Sequence, residues 1–507
     1  MNQMQLALIA ASLLFGRSGA YAQDQDEPES EDPKAEAPAE PQGPTESDFW
    51  TIERIDPPEG VILEISGLTS MPDGSVLACT RRGELFRVHG IGTDEVRFET
   101  ALIGLHEPLG LLPHNDSVYA VQRGELSRLR DTDSDGKFDL IETVCDDWRI
   151  SGNYHEYNFG PRLDHEGNLW ITTNKPFGDQ PFGKADWRGY ALRITPDGTM
   201  IPTCAGLRSP AGVQASPEGQ MFYTDNQGEW CGASKLSHLE PGDFHGHPWG
   251  AFSTELPLWP YDPITDVPDG ERMHEVHETI PSFKLPAVWF PYDKMGRSPA
   301  GFVWDKEGAL GPFQGQVFVG DQYQASVMRV FLEEVDGHWQ GACFPFRKGF
   351  GCGIIRLAWH QGALLTGQTA RGWGGLGSKQ WGLERLVWNG EMPFEIREMR
   401  VAADGFELSL TQACDPKSAL DLEGWELESY TYLLHSPYGS PEVDREQHKV
   451  HSVELSSDGL ELRLGIDDLR AGHVHELHAR GLRSTAGLPL LHEAAYYTAI
   501  KIPTKPD

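Results

Sequence analysis

GLTSMPDGSVLACTRRGELFRV, residues 67–88, decides the fold. A short apolar strand runs into a Pro-Asp-Gly turn. A second strand rich in Val, Leu and Ala returns, a polar loop with paired arginines follows, and a third strand closes on Arg87-Val88. Period-two alternation broken by a tight turn reads as an antiparallel meander. One such sheet cannot bury both of its faces, so it needs neighbours of its own kind. The phrase recurs as LGLLPHNDSVYAVQRGELSRLR (109–130), as FGPRLDHEGNLWITTN with YALRITPDG (159–198), and as AGVQASPEGQMFYTDNQGEWCGASKLSHLEPGD (211–243). It returns as AGFVWDKEGALGPFQGQVFVGDQYQASVMRVFLE (300–333) and as IIRLAWHQGALLTGQTARGWGG with GLERLVWNG (354–390). Six copies, spaced by about 40 to 85 residues, predict an all-β chain built on a six-bladed β-propeller over 49–390. The stretch from Pro248 to Pro299, rich in Pro and aromatics, is an insertion into it.

Outward from the repeats the texture changes. From 391 to 507, alternating runs such as FELSLTQ, HKVHSVELS, LELRLGI and HELHARGL predict a small antiparallel β-sandwich, acting as a spacer or docking module. Towards the N-terminus, residues 23–48 are acidic and Pro-rich and predict an extended linker. Ahead of it, the apolar run from Leu6 to Gly16 leads to Ala20-Tyr21-Ala22, a small-x-small site. That pattern predicts a signal peptide over 1–22, cleaved after Ala22, and so a periplasmic or secreted protein. No segment is long and apolar enough to span a bilayer.

The formal net charge is −34. Such a surface repels phosphate backbones and anionic lipids, which excludes nucleic acid and lipid headgroups as partners. Seven cysteines in an exported chain permit disulfides. Cys343 with Cys352 and a pair among Cys145, Cys204 and Cys231 are the candidates. The chain has neither a CxxCH nor an HExxH.

One loop carries a metal pattern. Asp131, Asp133, Asp135, Gly136, Lys137, Asp139 and Glu142 fit the twelve-residue calcium loop position by position. Carboxylates at positions 1, 3, 5 and 9 converge, the Lys137 carbonyl contributes, and Glu142 closes the set bidentately. The flanks read as strand, which predicts a structural calcium ion between propeller strands.

In a propeller, the approach to each innermost strand and the loop after the second strand meet on one face. Those positions are polar here. The approaches hold His106-Glu107, His155-Glu156, Arg208 and Arg297. The loops hold Arg81, Arg123, Gln227-Gly228-Glu229, Asp321 and Arg371. Arginines, histidines and carboxylates aimed at one funnel suit a polar ligand, or proton abstraction by a histidine.

The stretches NYHEYNFGPRLDHEGNLWIT, GLRSPAGVQASPEGQMFYTDNQGEW and PGDFHGHPWG carry a resemblance. They resemble the soluble glucose/sorbosone dehydrogenases that use pyrroloquinoline quinone, and more closely the propellers of planctomycete-type "membrane-bound dehydrogenase" proteins. The C-terminal domain resembles bacterial Ig-like domains. The first resemblance implies that His155 is the general base, that Arg208 positions substrate and cofactor, and that backbone oxygens in 227–229 hold a calcium clamping the quinone. The sequence departs from that family where Ser209 replaces an Asn, where Tyr323 or Gln324 falls at a Lys, and where the quinone-holding arginine pair reduces to Arg347 with Lys348. The expected function is a sugar or polyol dehydrogenase, with His155 taking the hydroxyl proton, Glu156 orienting it and Arg208 polarising the oxygen. An electron acceptor or partner protein would meet the C-terminal domain. The alternative is a propeller that binds carbohydrate or protein after losing the quinone. A metal-dependent lactonase built on Glu107, Glu156 and Glu229 is the third class.

Overall fold

Six four-stranded antiparallel blades stand around one axis, five of them separate sheets and the fifth the first half of an eight-stranded sheet. The computed structural model describes residues 43–178, 184–370 and 374–504. The innermost strands are Ile65–Ser70, Leu111–His114, Asn158–Leu163, Pro210–Ala215, Pro299–Trp304 and Ile354–His360. Each packs on the next, and the sixth packs back on the first, so the ring closes. Glycine at the blade-to-blade contact makes this possible. A Cβ on Gly110 would lie 1.7 Å from the Gly160 carbonyl oxygen, and one on Gly212 would lie 2.3 Å from that of Ala300.

The sixth blade takes its outermost strand from the start of the domain. Trp50–Ile55 pairs antiparallel with Trp381–Trp388, which fastens the two ends of the ring together. The stretch 248–299 contains the fourth strand of blade 4, Val288–Phe290, so the excursion between the third strand, Ser234–Leu239, and the fourth ends before Val288. The axis is filled. Arg356 in blade 6 donates to the carbonyls of Ala211 at 2.8 Å and Leu109 at 2.5 Å, in blades 4 and 2. Arg162 in blade 3 donates to Leu111 O at 3.1 Å, and burial pulls its pKa down to about 10.

The C-terminal residues form a two-sheet sandwich. One sheet holds Ile396–Ala402, Gly405–Leu410, Glu461–Ile466 and Val450–Leu455. The other holds Ala494–Ala499, His473–Ala479, Trp425–Thr431 and Val443–His448. The second sheet is continuous with blade 5, because Gly341, Ala342 and Cys343 pair with Thr498, Tyr497 and Tyr496. A spacer would hang free; here one eight-stranded sheet runs through both parts, and Glu271–Arg272 of the insertion pairs with Leu433–Leu434.

Two further expectations change. All seven cysteines are buried free thiols, with no disulfide. Cys343 lies inside the fused sheet with its Sγ 3.4 Å from Trp289 O, out of reach of Cys352 on the rim. The compact unit begins at Gly43, ahead of Phe49. Glu46–Asp48 form a 3-10 turn capped by Thr45, and Glu46 binds Lys348 N at 2.6 Å. Residues 1–42, which contain the expected signal peptide and most of the linker, lie outside the described residues. Among the described residues no helix is long and apolar enough to cross a membrane.

Candidate functional site

The strand registers bring the predicted polar positions to one end of the ring. Ile65 pairs with Thr80, Leu111 with Ala120, Asn158 with Thr173, Pro210 with Asp225, Pro299 with Asp321 and Ile354 with Gln368. The residue before each inner strand therefore stands beside the residue after its neighbour, blade after blade.

A chain of ion pairs follows this rim. Arg81 bonds Glu64 at 3.1 Å and lies 4.0 Å from Glu107. Glu107 is gripped by Arg123, whose Nε donates at 2.9 Å. Arg123 also donates to the carbonyls of Asn153 at 2.9 Å and Tyr154 at 3.0 Å, tying blade 2 to blade 3. His106 is exposed beside them, its backbone N–H held by the Gln122 side chain.

Between blades 3 and 4 the rim is densest. Glu229 Oε2 accepts from Arg208 through both Nε at 3.1 Å and Nη2 at 2.9 Å. The same carboxylate meets the Lys175 ammonium, and His247 Nε2 lies 3.8 Å away. Burial would raise the Glu229 pKa, but His247, Arg208 and Lys175 outweigh it and hold the carboxyl well below the usual range. His247 accepts from Trp249 N through Nδ1, and burial lowers its pKa to about 4. The Arg208 guanidinium lies between two rings, Phe177 at 5.3 Å and Tyr438 at 5.4 Å.

Tyr438 comes from the C-terminal domain. Its loop is bolted to the blade-4 loop by Trp230 N to His435 O at 2.8 Å, Gly439 N to Gly228 O at 3.0 Å and Ser440 N to Gly232 O at 2.9 Å. Gly228 allows the approach, since a Cβ there would meet Arg208 Nε at 1.9 Å. Gln227 is buried, and a Cβ on Gly439 would strike its Nε2. The Tyr438 ring stays 66% exposed and Tyr154 56% exposed, an unusual pair for large rings. The next blade repeats the stack: Arg297 lies over Tyr292 at 5.0 Å and Tyr323 at 4.3 Å, and pairs with Asp293.

His155 stands beside this cluster, its ring stacked 3.5 Å from Phe177 and 1% exposed. Nδ1 lies 2.6 Å from Lys175 O and Nε2 3.1 Å from Ser209 Oγ. A carbonyl only accepts, so Nδ1 carries a proton and donates it to Lys175 O, while Nε2 shares a hydrogen bond with the Ser209 hydroxyl. His155 and Arg208 thus share one end of the ring, as expected. Several neighbours have other duties. Glu156 is fully buried, and its carboxylate accepts from Ser151 N, Ser151 Oγ and Gly152 N; a backbone carbonyl orients His155 in its place. Asp321 turns into blade 5 and accepts the amides of Arg297, Ser298, Tyr323 and Gln324. Asp225 does the same for Arg208 and Ser209 in blade 4. Both buried carboxyls are raised in pKa by desolvation. They shape the approach loops and face away from the rim. Arg371 lies outside the described residues.

In the predicted calcium loop, the carboxylate oxygens of Asp131, Asp133 and Asp135 lie within 4.8 Å of one another. Asp139 turns to Thr132 N and Oγ1 instead. Glu142 is drawn into the strand Leu140–Cys145, where Arg128 at 3.0 Å and Arg130 at 3.4 Å hold it.

Lys175, Phe177, His247 and Tyr438 escaped the sequence reading. Lys175 and Phe177 follow the second strand of blade 3, the position that Arg81 and Arg123 occupy in blades 1 and 2, so alignment of the copies contains the signal. Nothing in the spacing announces Tyr438.

A family profile described as a domain of unknown function, DUF7133, matches residues 97–247. No curated protein matches the chain. Among solved structures, a putative oxidoreductase (glucose dehydrogenase) from Thermus thermophilus is 18% identical, covers 67% of this chain and 100% of its own, and gives a TM-score of 0.48. The PQQ-bound aldose sugar dehydrogenase of Streptomyces coelicolor is 15% identical over 68% of this chain and 100% of its own, with a TM-score of 0.46. The apo soluble aldose sugar dehydrogenase of Escherichia coli is 14% identical over 68% and 100%, with a TM-score of 0.45. At these identities the likeness is one of fold.

Proposed function

We propose that the rim is a recognition site for a neutral saccharide, on a protein exported after cleavage behind Ala22, and that it does not use a quinone. The observation that carries this reading is the contact of Arg208 with Phe177 and Tyr438, with the Tyr438 ring exposed and the exposed Tyr154 ring 6.0 Å from Phe177. A pyranose offers an apolar face and an edge of hydroxyls. Exposed rings take the face, while a carboxylate and a guanidinium held in an ion pair present an acceptor and donors to the edge.

A tricarboxylate quinone asks for something else. Its three anionic groups need cations free to meet them. Arg81, Arg123, Arg208 and Arg297 each already face a carboxylate of this chain, and Lys175 shares Glu229. The Gly228 carbonyl, which the family resemblance assigns to a calcium clamp, accepts from Cys231 N and Gly439 N. The described rim residues do not fit the cofactor.

The test is saccharide titration of the mature protein by NMR, with Tyr438→Ala and Tyr154→Ala beside it. Loss of one stacked ring costs about 1 kcal/mol, so each variant should bind roughly five- to tenfold more weakly. Both rings are exposed, so thermal stability should hold. Addition of calcium and pyrroloquinoline quinone should give neither a bound-quinone absorbance nor aldose turnover with an artificial acceptor; either result overturns the reading.

A further inference from the structure

The Arg208 unit of the rim has a twin in the next blade. Arg208-Ser209-Pro210 leads into the inner strand of blade 4, and Arg297-Ser298-Pro299 leads into that of blade 5. The two tripeptides are held in the same way. Asp225 accepts the amides of Arg208 at 2.9 Å and Ser209 at 2.7 Å, and Asp321 accepts those of Arg297 and Ser298, both at 2.8 Å. Each carboxylate ends the second strand of its own blade. One backbone frame therefore delivers a guanidinium to the same end of the ring in both blades.

Each guanidinium then meets two aromatic rings and a carboxylate. Arg208 has Phe177, Tyr438 and Glu229; Arg297 has Tyr292, Tyr323 and Asp293. Phe177 and Tyr323 follow the second strands of blades 3 and 5, Tyr292 follows the fourth strand of blade 4, and Tyr438 belongs to the C-terminal domain. The blade repeat accounts for the arginines, but not for rings supplied by such unlike segments. The two units also adjoin. Burial raises the pKa of the Tyr292 phenol, and the Tyr438 phenol raises it further, so the two hydroxyls lie near one another. Tyr154, 6.0 Å from Phe177, continues the row on the blade-3 side. Leu376, 69% exposed, continues it on the blade-6 side, where its N–H donates to Tyr323 O at 2.8 Å.

We infer that the rim takes a linear neutral glycan laid along blades 4 and 5, with one sugar ring at the Arg208 unit and another at the Arg297 unit. This rests on the reading of the rim as a saccharide site. A repeated receptor suits a ligand that repeats, because each sugar of a linear chain offers the next unit the same apolar face and hydroxyl edge. An anionic chain does not fit: both arginines already hold carboxylates of this protein, whose net charge is −34. Once one sugar ring is held, the second contact is intramolecular and adds affinity, so chain length is the variable to test.

Two glucose series are the probes, cellobiose with cellohexaose and maltose with maltohexaose, titrated into the full chain. The readout is the Nε–H resonances of Arg208 and Arg297. In one of the series the hexasaccharide should shift both resonances with one common Kd, roughly tenfold below that of the disaccharide. In Tyr323→Ala that gain should fall to about two- to threefold. Arg297→Lys keeps a cation beside Asp293 but loses the planar face, and should shrink the gain likewise. Its side chain is 28% exposed, so this variant folds, and melting curves matching wild type verify both. Equal affinity for short and long sugars overturns the inference and leaves the rim reading standing, as does an Arg297 resonance that stays still while that of Arg208 moves. An undiminished gain in both variants overturns it too. No saturable shift in either series overturns the rim reading and the inference together.

Discussion

Raising the pH from 6 to 10 should loosen the N-terminal turn from the body of the protein, and His492 is the reason. Its Nδ1 lies 2.5 Å from Glu395 and its Nε2 3.1 Å from Glu46. Burial alone would lower the imidazole pKa, but the two carboxylates outweigh it and raise the value from 6.5 to about 9. A raised pKa means that the folded state holds the proton more tightly. The stabilisation is therefore complete below the unfolded value of about 6.5, and is lost as pH climbs through the folded value. A shift of about 2.5 units at 1.36 kcal/mol each gives roughly 3 kcal/mol. The side chain is 13% exposed, so solvent screens little of it. The lowered pKa of Glu46 reports part of the same contact and adds nothing further. Amide exchange of Lys348, whose N–H binds Glu46, reads the local opening, and denaturant titration at pH 6 and pH 10 reads the whole. In His492→Gln the amide keeps the shape without the charge. The variant should be about 3 kcal/mol weaker than wild type at pH 6, and the gap should close by pH 10. Parallel curves for the two proteins across that range would refute the reasoning, as would an NMR titration placing the His492 midpoint near 6.5.

Glu229→Gln removes the one carboxylate shared by Lys175 and Arg208, both nearly buried, and should cost about 3–5 kcal/mol in urea unfolding while abolishing saccharide binding at the rim. A stable Glu229→Gln protein would mean that the two cations find relief elsewhere. Calcium should bind the 131–135 loop with a Kd of roughly 0.1–1 mM, read by terbium luminescence, since only three carboxylates converge. Asp133→Asn should weaken that binding, whereas Glu142→Gln should leave it unchanged, because Arg128 and Arg130 hold Glu142 in the sheet.

The blades are legible because each copy states its own strands, turn and polar loop within about twenty to forty residues. The rim followed from the same local phrase, which is how His155, Arg208, Glu107, Arg123 and Glu229 came to one end. What the phrase cannot say is where a side chain turns once its neighbours arrive. The sequence offers Glu156 as a partner for His155, yet two amides of its own loop claim the carboxylate. The pattern offers Asp321 to a bound substrate or cofactor, yet four backbone N–H groups claim it. Glu142 fits a calcium pattern by position, yet it lies on a strand whose neighbour offers two arginines. In each case a short-range hydrogen bond or ion pair won over the longer reach that the pattern implied.

The sequence by itself determined the repeat, the strand and turn positions, the acidic surface and the end of each blade at which polar residues gather. All of these depend on neighbours close in the chain, through periodicity and turn chemistry. Only the tertiary structure decided the rest. Trp50–Ile55 completes the sixth blade, the sandwich extends the fifth, and Tyr438 stands on Arg208. Those contacts join residues hundreds of positions apart, and they form only when the closed ring brings backbone edges together that no local pattern pairs.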